Sequence, residues 1–338
     1  MSIERQHRPA TQADVAREVG VSRTLVSFAF RDAAGVSPET RQAIFDAAKR
    51  LGYRHNAAAA ALASKSRTAV GLYLLDLRNE VYSDVLNGVR LALPQAGNRL
   101  ILSVSRSIGG VDQGAMDSLV EARVGIIIAA ALLDPDERVR ELAQIIPVVS
   151  VTRRVEGVDS VYPDDRAGAR AAVEHLLGLG HTRIAHMAGP SFEGHTVRRE
   201  TYEKMMRDAG VIPQTVAAGD FTQEAAESAA AELLAGPDRP TAVFTHNDQF
   251  ALGVREAAYA MGLAIPGDLS LVGYDDSRTA RLHGIDLTSV DLHAVELGTT
   301  AGRVALERLN DPGAPIADVT STPRLVVRNS TAPLRSKS

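Results

Sequence analysis

From Thr11 to Gly52 the apolar residues recur at helical spacing, and capping signals divide the run into three short helices. Thr11 with Asp14 three residues on reads as a capping box, and Gly20 as a stop. Ser22 starts a second helix, and Ser37-Pro38 starts a third that ends at Gly52. With Gly20-Val21 as the turn, residues 11–31 fit a helix, a tight turn and a second helix. At about 100° per residue, Val26, Ala29 and Phe30 fall on one side of that second helix. Thr24, Ser27, Phe28 and Arg31 fall on the other. A packed face opposite a free one, with Arg23 near the N-terminus, is the geometry that enters a major groove and reads base edges. The plainer alternative is a helical hairpin that only packs on the rest of the chain.

Residues 56–64 are alanine-rich with Leu62 as the single large apolar side chain, so they have helix propensity and little to bury. Residues 64–68 then read as a polar linker. Beyond them, short aliphatic runs alternate with amphipathic helical stretches. The expected strands are 69–75, 100–105, 125–130, 147–151, 183–188, 242–245 and 270–273, each followed by a helical pattern such as 83–92 or 166–177. Repeated βα order implies parallel sheets with right-handed crossovers. About 270 residues of this kind exceed one doubly wound domain, and the polar stretch 160–165 is the expected boundary between two.

Composition narrows the function classes. Among 338 residues there is no cysteine, which excludes a disulfide framework, a thiolate metal site and a cysteine nucleophile. Apolar content of 45% and charged content of 23% exclude a disordered chain. The net charge of −4 hides an asymmetry: residues 1–67 carry 11 Lys and Arg against 6 Asp and Glu, and the remainder 26 against 35. A head of +5 thus precedes a body of −9, which fits a head that meets a polyanion and equally a solvated basic terminus. Residues 1–10 lack the apolar core of a signal peptide, and the longest apolar stretch, 124–133, is short of the ~20 residues of a membrane span. A cytoplasmic protein with no membrane partner is expected.

An enzyme reading finds no motif. No G-x-G-x-x-G or G-x-x-x-x-G-K-[ST] phosphate loop occurs, and His181, His186, His195 and His246 are scattered without metal-ligand spacing. The expectation is no catalysis, no cofactor and no metal.

Residues 11–67 resemble the head of the lactose/galactose-repressor (LacI/GalR) family. The resemblance is carried by Asp14-Val15-Ala16, Gly20-Val21-Ser22, Val26-Ser27, Val36-Ser37-Pro38-Glu39-Thr40-Arg41 and Leu51-Gly52-Tyr53-Arg54, followed by Asn56. It implies Ser22 and Thr40 near phosphates and Arg23, Thr24, Ser27 and Phe28 at base-reading positions. Thr11, Arg31, Tyr53, Asn56, Ala59 and Leu62 complete the implied DNA-binding set, with Leu62 a minor-groove wedge from a hinge that becomes helical on the operator. Three positions depart from the family. Phe28 replaces a common arginine and cannot make a bidentate contact to guanine, Leu25 replaces a polar residue, and His55 replaces a proline.

The body resembles the periplasmic-binding-protein-like sensor of the same family. It does so through Asp164-Asp165-Arg166-Ala167-Gly168, Gly180-His181-Thr182-Arg183, Asn247-Asp248-Gln249, Gly273-Tyr274-Asp275-Asp276 and Leu287-Thr288-Ser289-Val290. The fold implied is an N-terminal all-α helix-turn-helix head and an α/β sensor of two doubly wound parallel-sheet lobes. The implied division is a head 1–54, a hinge and linker 55–67, a first lobe 68–163 with 295–322 returning, and a second lobe 164–294 with 323–331 returning. Asp275, Asn247, Arg198 and Phe221, with Asp76 and Tyr82 from the first lobe, are the implied effector contacts, since carboxylates and amides suit a polyhydroxy ligand. The plainer roles are a turn cap for Asp275, a helix cap for Asn247, and a surface ion pair of Arg198 with Glu200 or Glu203. Thr152 stands where sugar-binding members often have Asp, and Leu292 where a polar residue is common.

The function implied is a transcription repressor, a homodimer on a near-palindromic double-stranded DNA operator, switched by a sugar, polyol or nucleoside-like effector. Control by a protein partner, or a solute-binding protein, are the alternatives. No heptad pattern precedes Ser338, so no coiled-coil tail is expected.

Overall fold

The structure is a computed structural model that describes residues 8, 10–30, 33–53, 69–94, 98–105, 112–192 and 196–334. It divides into two compact units, Met1–Arg67 and Thr68–Ser338. The hinge expected at 55–67, with Asn56, Ala59 and Leu62, lies outside the described residues, as does Arg31.

In the first unit, α1 (Gln12–Val19), α2 (Arg23–Phe30) and α3 (Pro38–Leu51) form where their caps predict. Thr11 and Asp14 make the reciprocal capping box, and Gly20 and Gly52 close α1 and α3 at φ 75° and 65°, a conformation that favours glycine. Ser37 caps α3 ahead of Pro38. Val15, Ala16, Val26, Ala29, Ile44, Ala47 and Ala48 are the buried core. Phe30 turns inward, its ring 5.2 Å from Phe45 and 5.5 Å from Tyr53. Arg41 on α3 donates to the carbonyls of Ala29 and Ala33, satisfying the open end of α2.

The second unit runs β1 (Val70–Leu74), α4 (Glu80–Ala92), β2 (Leu100–Val104), α5 (Gln113–Glu121), β3 (Ile126–Ala130), α6 (Asp136–Ile145), β4 (Val148–Val151) and β5 (Asp159–Pro163). It continues through α7 (Asp165–Gly178), β6 (Ile184–Ala188), α8 (Val197–Asp208), β7 (Gln214–Ala217), α9 (Gln223–Ala235), β8 (Ala242–Thr245), α10 (Asp248–Ala260) and β9 (Ser270–Tyr274). β10 (Thr288–Asp291), α11 (Ala294–Asn310), β11 (Asp318–Ser321) and β12 (Arg324–Val326) complete it. Two sheets result, ordered β11-β5-β4-β3-β1-β2 and β12-β10-β9-β8-β6-β7, parallel except for the β10–β12 pair. β3 reads Ile-Ile-Ile-Ala-Ala and is wholly buried, as a central parallel strand covered on both faces must be. The chain passes between the sheets at 164, at 292–293 and at 322–323, so α11 and β11 lie with the first sheet and β12 with the second.

The passage to the second lobe falls at Asp164, which caps α7, inside the stretch 160–165 expected as the boundary, although 159–163 themselves form β5. One local expectation fails: among the described residues no helix follows β4 or β9. Residues 152–158 lead straight to β5, held by a buried Arg153 that donates to Asp136 and the Asp134 carbonyl, and by Ser160, whose hydroxyl donates to the Val158 carbonyl.

α4 and α11 cross closely. A Cβ on Gly298 would stand 2.9 Å from the Val85 carbonyl carbon, and one on Gly302 would stand 2.6 Å from the Ala92 Cβ, so only glycine permits the approach.

Candidate ligand cavity and nucleic-acid interface

In parallel α/β sheets the carboxyl ends of the strands open onto a crevice where ligands bind. Here the residues just past those ends face one another across the two lobes. Leu75 and Asp76 follow β1, Ala131 follows β3, Thr152 follows β4, His246 and Asn247 follow β8, Asp275 follows β9, and Leu292 follows β10. With Asn79, Val81, Tyr82, Asp165, Arg198, Phe221 and Gln249 they line one cavity. Ala131 and Thr152 of the first lobe and Asp275 of the second hold positive φ values of 56°, 74° and 107°, so backbone strain flanks the cavity from both lobes.

All six residues singled out from the sequence for effector contact line this cavity, together with the two departures Thr152 and Leu292. Among the described residues Arg198 makes no pair with Glu200 or Glu203. Its Nε donates to Asp165 at 3.1 Å, its Nη1 donates to the His246 carbonyl at 2.6 Å, and its Cζ lies 3.7 Å from the Tyr274 ring centroid. Tyr274 in turn donates its hydroxyl to Asp165 at 2.7 Å. Burial alone would lower the Arg198 pKa, but Asp165, Tyr274 and Asp275 together outweigh it and hold it above the ordinary value. The neighbour Arg199 is the one that reaches Glu203.

Asn247 does cap α10, accepting from the Phe250 amide at 2.9 Å, and lines the cavity as well. Among the described residues Asp275 caps no turn. Its carboxylate accepts from the Asn79 amide at 3.4 Å, and Asn79, through its own oxygen, caps α4. Burial pushes the Asp275 carboxyl well above the usual range, with Arg198 countering and Asp248 adding to the rise. Phe221 sits against Gly189, where a Cβ would come within 2.7 Å of its ring. Burial pushes the Tyr82 hydroxyl upward, and Asp275 adds to it.

Behind this wall, Asp248 accepts from the Ser289 hydroxyl at 2.6 Å and the Ser277 amide at 2.7 Å. Burial raises its pKa to about 6, and those hydrogen bonds oppose the rise. Sequence reading missed Asn79, Asp165, His246 and Gln249 as cavity residues. The helices expected at 83–92 and 166–177 begin after Asn79 and Asp165, and the common facing of these residues follows from how the lobes meet.

In the head, Ser22, Arg23 and Thr24 at the start of α2 are exposed, and the Ser22 hydroxyl accepts the Leu25 amide at 3.1 Å. Ser27 and Phe28 are half-buried. Thr11 is exposed but bound to Asp14, whose carboxyl these hydrogen bonds pull down to about 2. Thr40 is half-buried, hydrogen-bonded to Ser37, and the Tyr53 ring packs on Phe30. Among the described residues no group of acidic, histidine or cysteine side chains could hold a metal ion, and no helix is long and apolar enough to cross a membrane.

Comparison with known proteins agrees in both parts. Residues 11–56 match the model of bacterial regulatory proteins, lacI family, and residues 173–331 a periplasmic binding protein-like domain. The transcriptional regulator MalR of Streptomyces coelicolor is 33% identical over 337 residues, covering 95% of this chain and 96% of its own. The lac repressor dimer bound to operator and the anti-inducer ONPF superposes with a TM-score of 0.79 at 26% identity, covering 96% of this chain and 100% of that one. The regulator CelR in complex with cellobiose aligns at 0.69 and 27% identity, over 95% and 99% of the two chains.

Proposed function

Since the chain belongs to the lacI family of bacterial DNA-binding transcriptional regulators, we propose that it is a repressor which binds a near-palindromic operator as a homodimer and is switched by a polyhydroxy effector in the cavity between its lobes. The observation that carries this reading is the composition of the cavity wall. Asp76, Asn79 and Tyr82 come from the first lobe, and Arg198, Asn247 and Asp275 from the second, so a ligand that touches both favours one lobe arrangement over another. A polyhydroxy ligand suits the wall, because carboxylates accept from paired hydroxyls, amides donate to their oxygens, and Phe221 offers an apolar face. The likeness to a regulator bound to cellobiose points the same way.

For the head, the exposed Arg23 and Thr24 at the start of α2 are the side chains offered to base edges, while Ser22 and Thr40 serve phosphates. Leu62 acts as the minor-groove wedge, with Asn56 and Ala59 beside it, and Thr11, Arg31 and Tyr53 complete the contact set. Exposed Leu91 on α4, and Tyr259 with Leu282 on the second lobe, supply apolar surface for a second copy.

The test is enrichment of genomic fragments on the full chain, followed by footprinting and by thermal shift against sugars, polyols and nucleosides. A palindromic site and a ligand-dependent rise in melting temperature are expected. Failure to enrich any palindrome refutes the repressor reading, and absence of any stabilising metabolite refutes the sensor reading. Leu62→Ala should weaken specific binding and leave non-specific binding nearly unchanged.

A further inference from the structure

The charges lining the cavity do not balance. Three carboxylates, of Asp76, Asp165 and Asp275, face one guanidinium, that of Arg198. Asp76 is paired from outside the cavity by Arg78 at 3.3 Å, and Asp165 is taken by Arg198 and the Tyr274 hydroxyl. Asp275 has no ion pair among the described residues, only the 3.4 Å contact from the Asn79 amide, although it is 8% exposed. An acceptor imbalance accompanies the charge. Gln249 also lines the cavity, and its buried Oε1 accepts no hydrogen bond among the described residues. One unmet acceptor and a buried carboxylate without an ion pair favour a ligand rich in donors and positive in charge.

The wall is equally poor in anion binders. The Arg198 Nε and Nη1 already have partners and its ring-stacked face is covered, so the bidentate fork that would clamp a phosphate or carboxylate is largely committed. Three of the helices that start at the cavity already hold a carboxylate of this chain at their N-termini: α4 is capped by Asn79 with Glu80 behind it, α7 by Asp164 with Asp165, and α10 by Asn247 with Asp248. Among the described residues α8 and α11 have no side-chain cap, but their first turns carry Glu200 and Glu296.

We propose that the ligand taken here is an amine-bearing polyhydroxy compound, an amino sugar or aminocyclitol, whose ammonium group pairs with Asp275, and that phosphorylated and carboxylated metabolites are rejected. The proposal rests on the reading of the cavity as a polyhydroxy-ligand site and adds the charge. Burial pushes the Asp275 carboxyl upward, against Arg198 on α8 and with Asp248 on α10 and Asp165 on α7. A cation at this carboxylate relieves that cost, whereas an anion adds to it.

The test is calorimetry on the full chain at neutral pH with matched probes: glucosamine, galactosamine and mannosamine, the three parent hexoses, their N-acetyl derivatives, and glucose 6-phosphate. At least one amine should bind at least about tenfold more tightly than its parent and its N-acetyl form, the difference expected of one charge-assisted contact, with no binding of the phosphate. Asp275→Asn, a residue type that tolerates the 107° φ, should abolish the preference for the amine. A parent hexose or the phosphate binding as tightly as every amine overturns the proposal while leaving the sensor reading intact. An amine preference that survives in Asp275→Asn also overturns the assignment. Binding of none of the probes overturns the polyhydroxy reading together with it.

Discussion

Gly168, in the first turn of α7, gives a prediction whose sign separates local propensity from packing. In a helix, glycine to alanine is worth about 1 kcal/mol of stabilisation. Here a Cβ would stand 2.9 Å from Tyr274 Cζ and 3.1 Å from Cε2, and nearer still to the hydroxyl. Tyr274 is fully buried and held on two sides, by its 2.7 Å hydrogen bond to Asp165 and by the Arg198 guanidinium 3.7 Å from its ring centroid. Relief of the overlap therefore displaces the ring, stretches that hydrogen bond and unseats Arg198. Over-packing of a rigid site costs about 1–3 kcal/mol and a weakened buried hydrogen bond about 1 kcal/mol. After the helical gain of about 1 kcal/mol, a net loss of about 1–3 kcal/mol remains. Urea unfolding of wild type, Gly168→Ala, Tyr274→Phe and the double variant measures it. Removal of the Tyr274 hydroxyl relieves the nearest overlap, so the double variant should lose less than the sum of the singles. A Gly168→Ala protein as stable as wild type or more so would refute the argument.

Glu80 joins the lobes by accepting from the Thr279 amide at 3.0 Å and its hydroxyl at 2.9 Å; Glu80→Ala should speed exchange of the Thr279 amide about tenfold or more, and unchanged exchange would mean that these contacts do not hold the lobes. Burial lowers the His186 pKa from 6.5 to about 3, so its contribution to stability is present above pH 6.5 and is lost as pH falls toward 3. His186→Phe should therefore narrow the gap between urea midpoints at pH 7 and pH 5. Asp248, raised from 3.8 to about 6, works oppositely, its contribution being lost as pH rises through 6, so Asp248→Asn should widen that gap. Phe28→Arg should shift the preferred half-site in selected DNA toward guanine, and an unchanged half-site would show that position 28 does not face the bases.

The head was legible from sequence because its signals are local: the capping box, the glycine stops and the apolar spacing of α2 all lie within a few residues of what they determine. The buried strands β1, β3 and β8 were legible as aliphatic runs for the same reason. β5 was not. Its Asp159 is buried only because Arg308 donates to it at 2.8 and 2.9 Å and the Ala317 amide at 2.8 Å, partners about 150 residues away. The edge strands β7, β11 and β12 are at most half-buried and carry no apolar run to read. At the cavity, residue types at strand ends were readable, and resemblance selected six that converge. Nothing in sequence order joins Asp165 to Arg198 and Tyr274, or Asn79 to Asp275, because those pairings exist only once three separate crossings have folded the second lobe against the first.

That geometry also bears on how occupancy of the cavity could be felt elsewhere in the body. α4 begins at Asn79 and α11 begins just after Leu292, and both residues line the cavity. Gly88, Gly298 and Gly302 bring the two helices into backbone contact along their length, too close for independent sliding. A ligand that draws Asn79 toward Asp275 thus moves α4 and α11 as one body. The exposed Leu91 rides on α4. Occupancy is transmitted to that face only to the extent that the ligand binds one lobe arrangement more tightly than the other, and a tenfold preference supplies about 1.4 kcal/mol. The contacts of Glu80 with Thr279 and Asn79 with Asp275 already join the lobes through these same residues, so a ligand there need only strengthen or break an existing seam rather than create one.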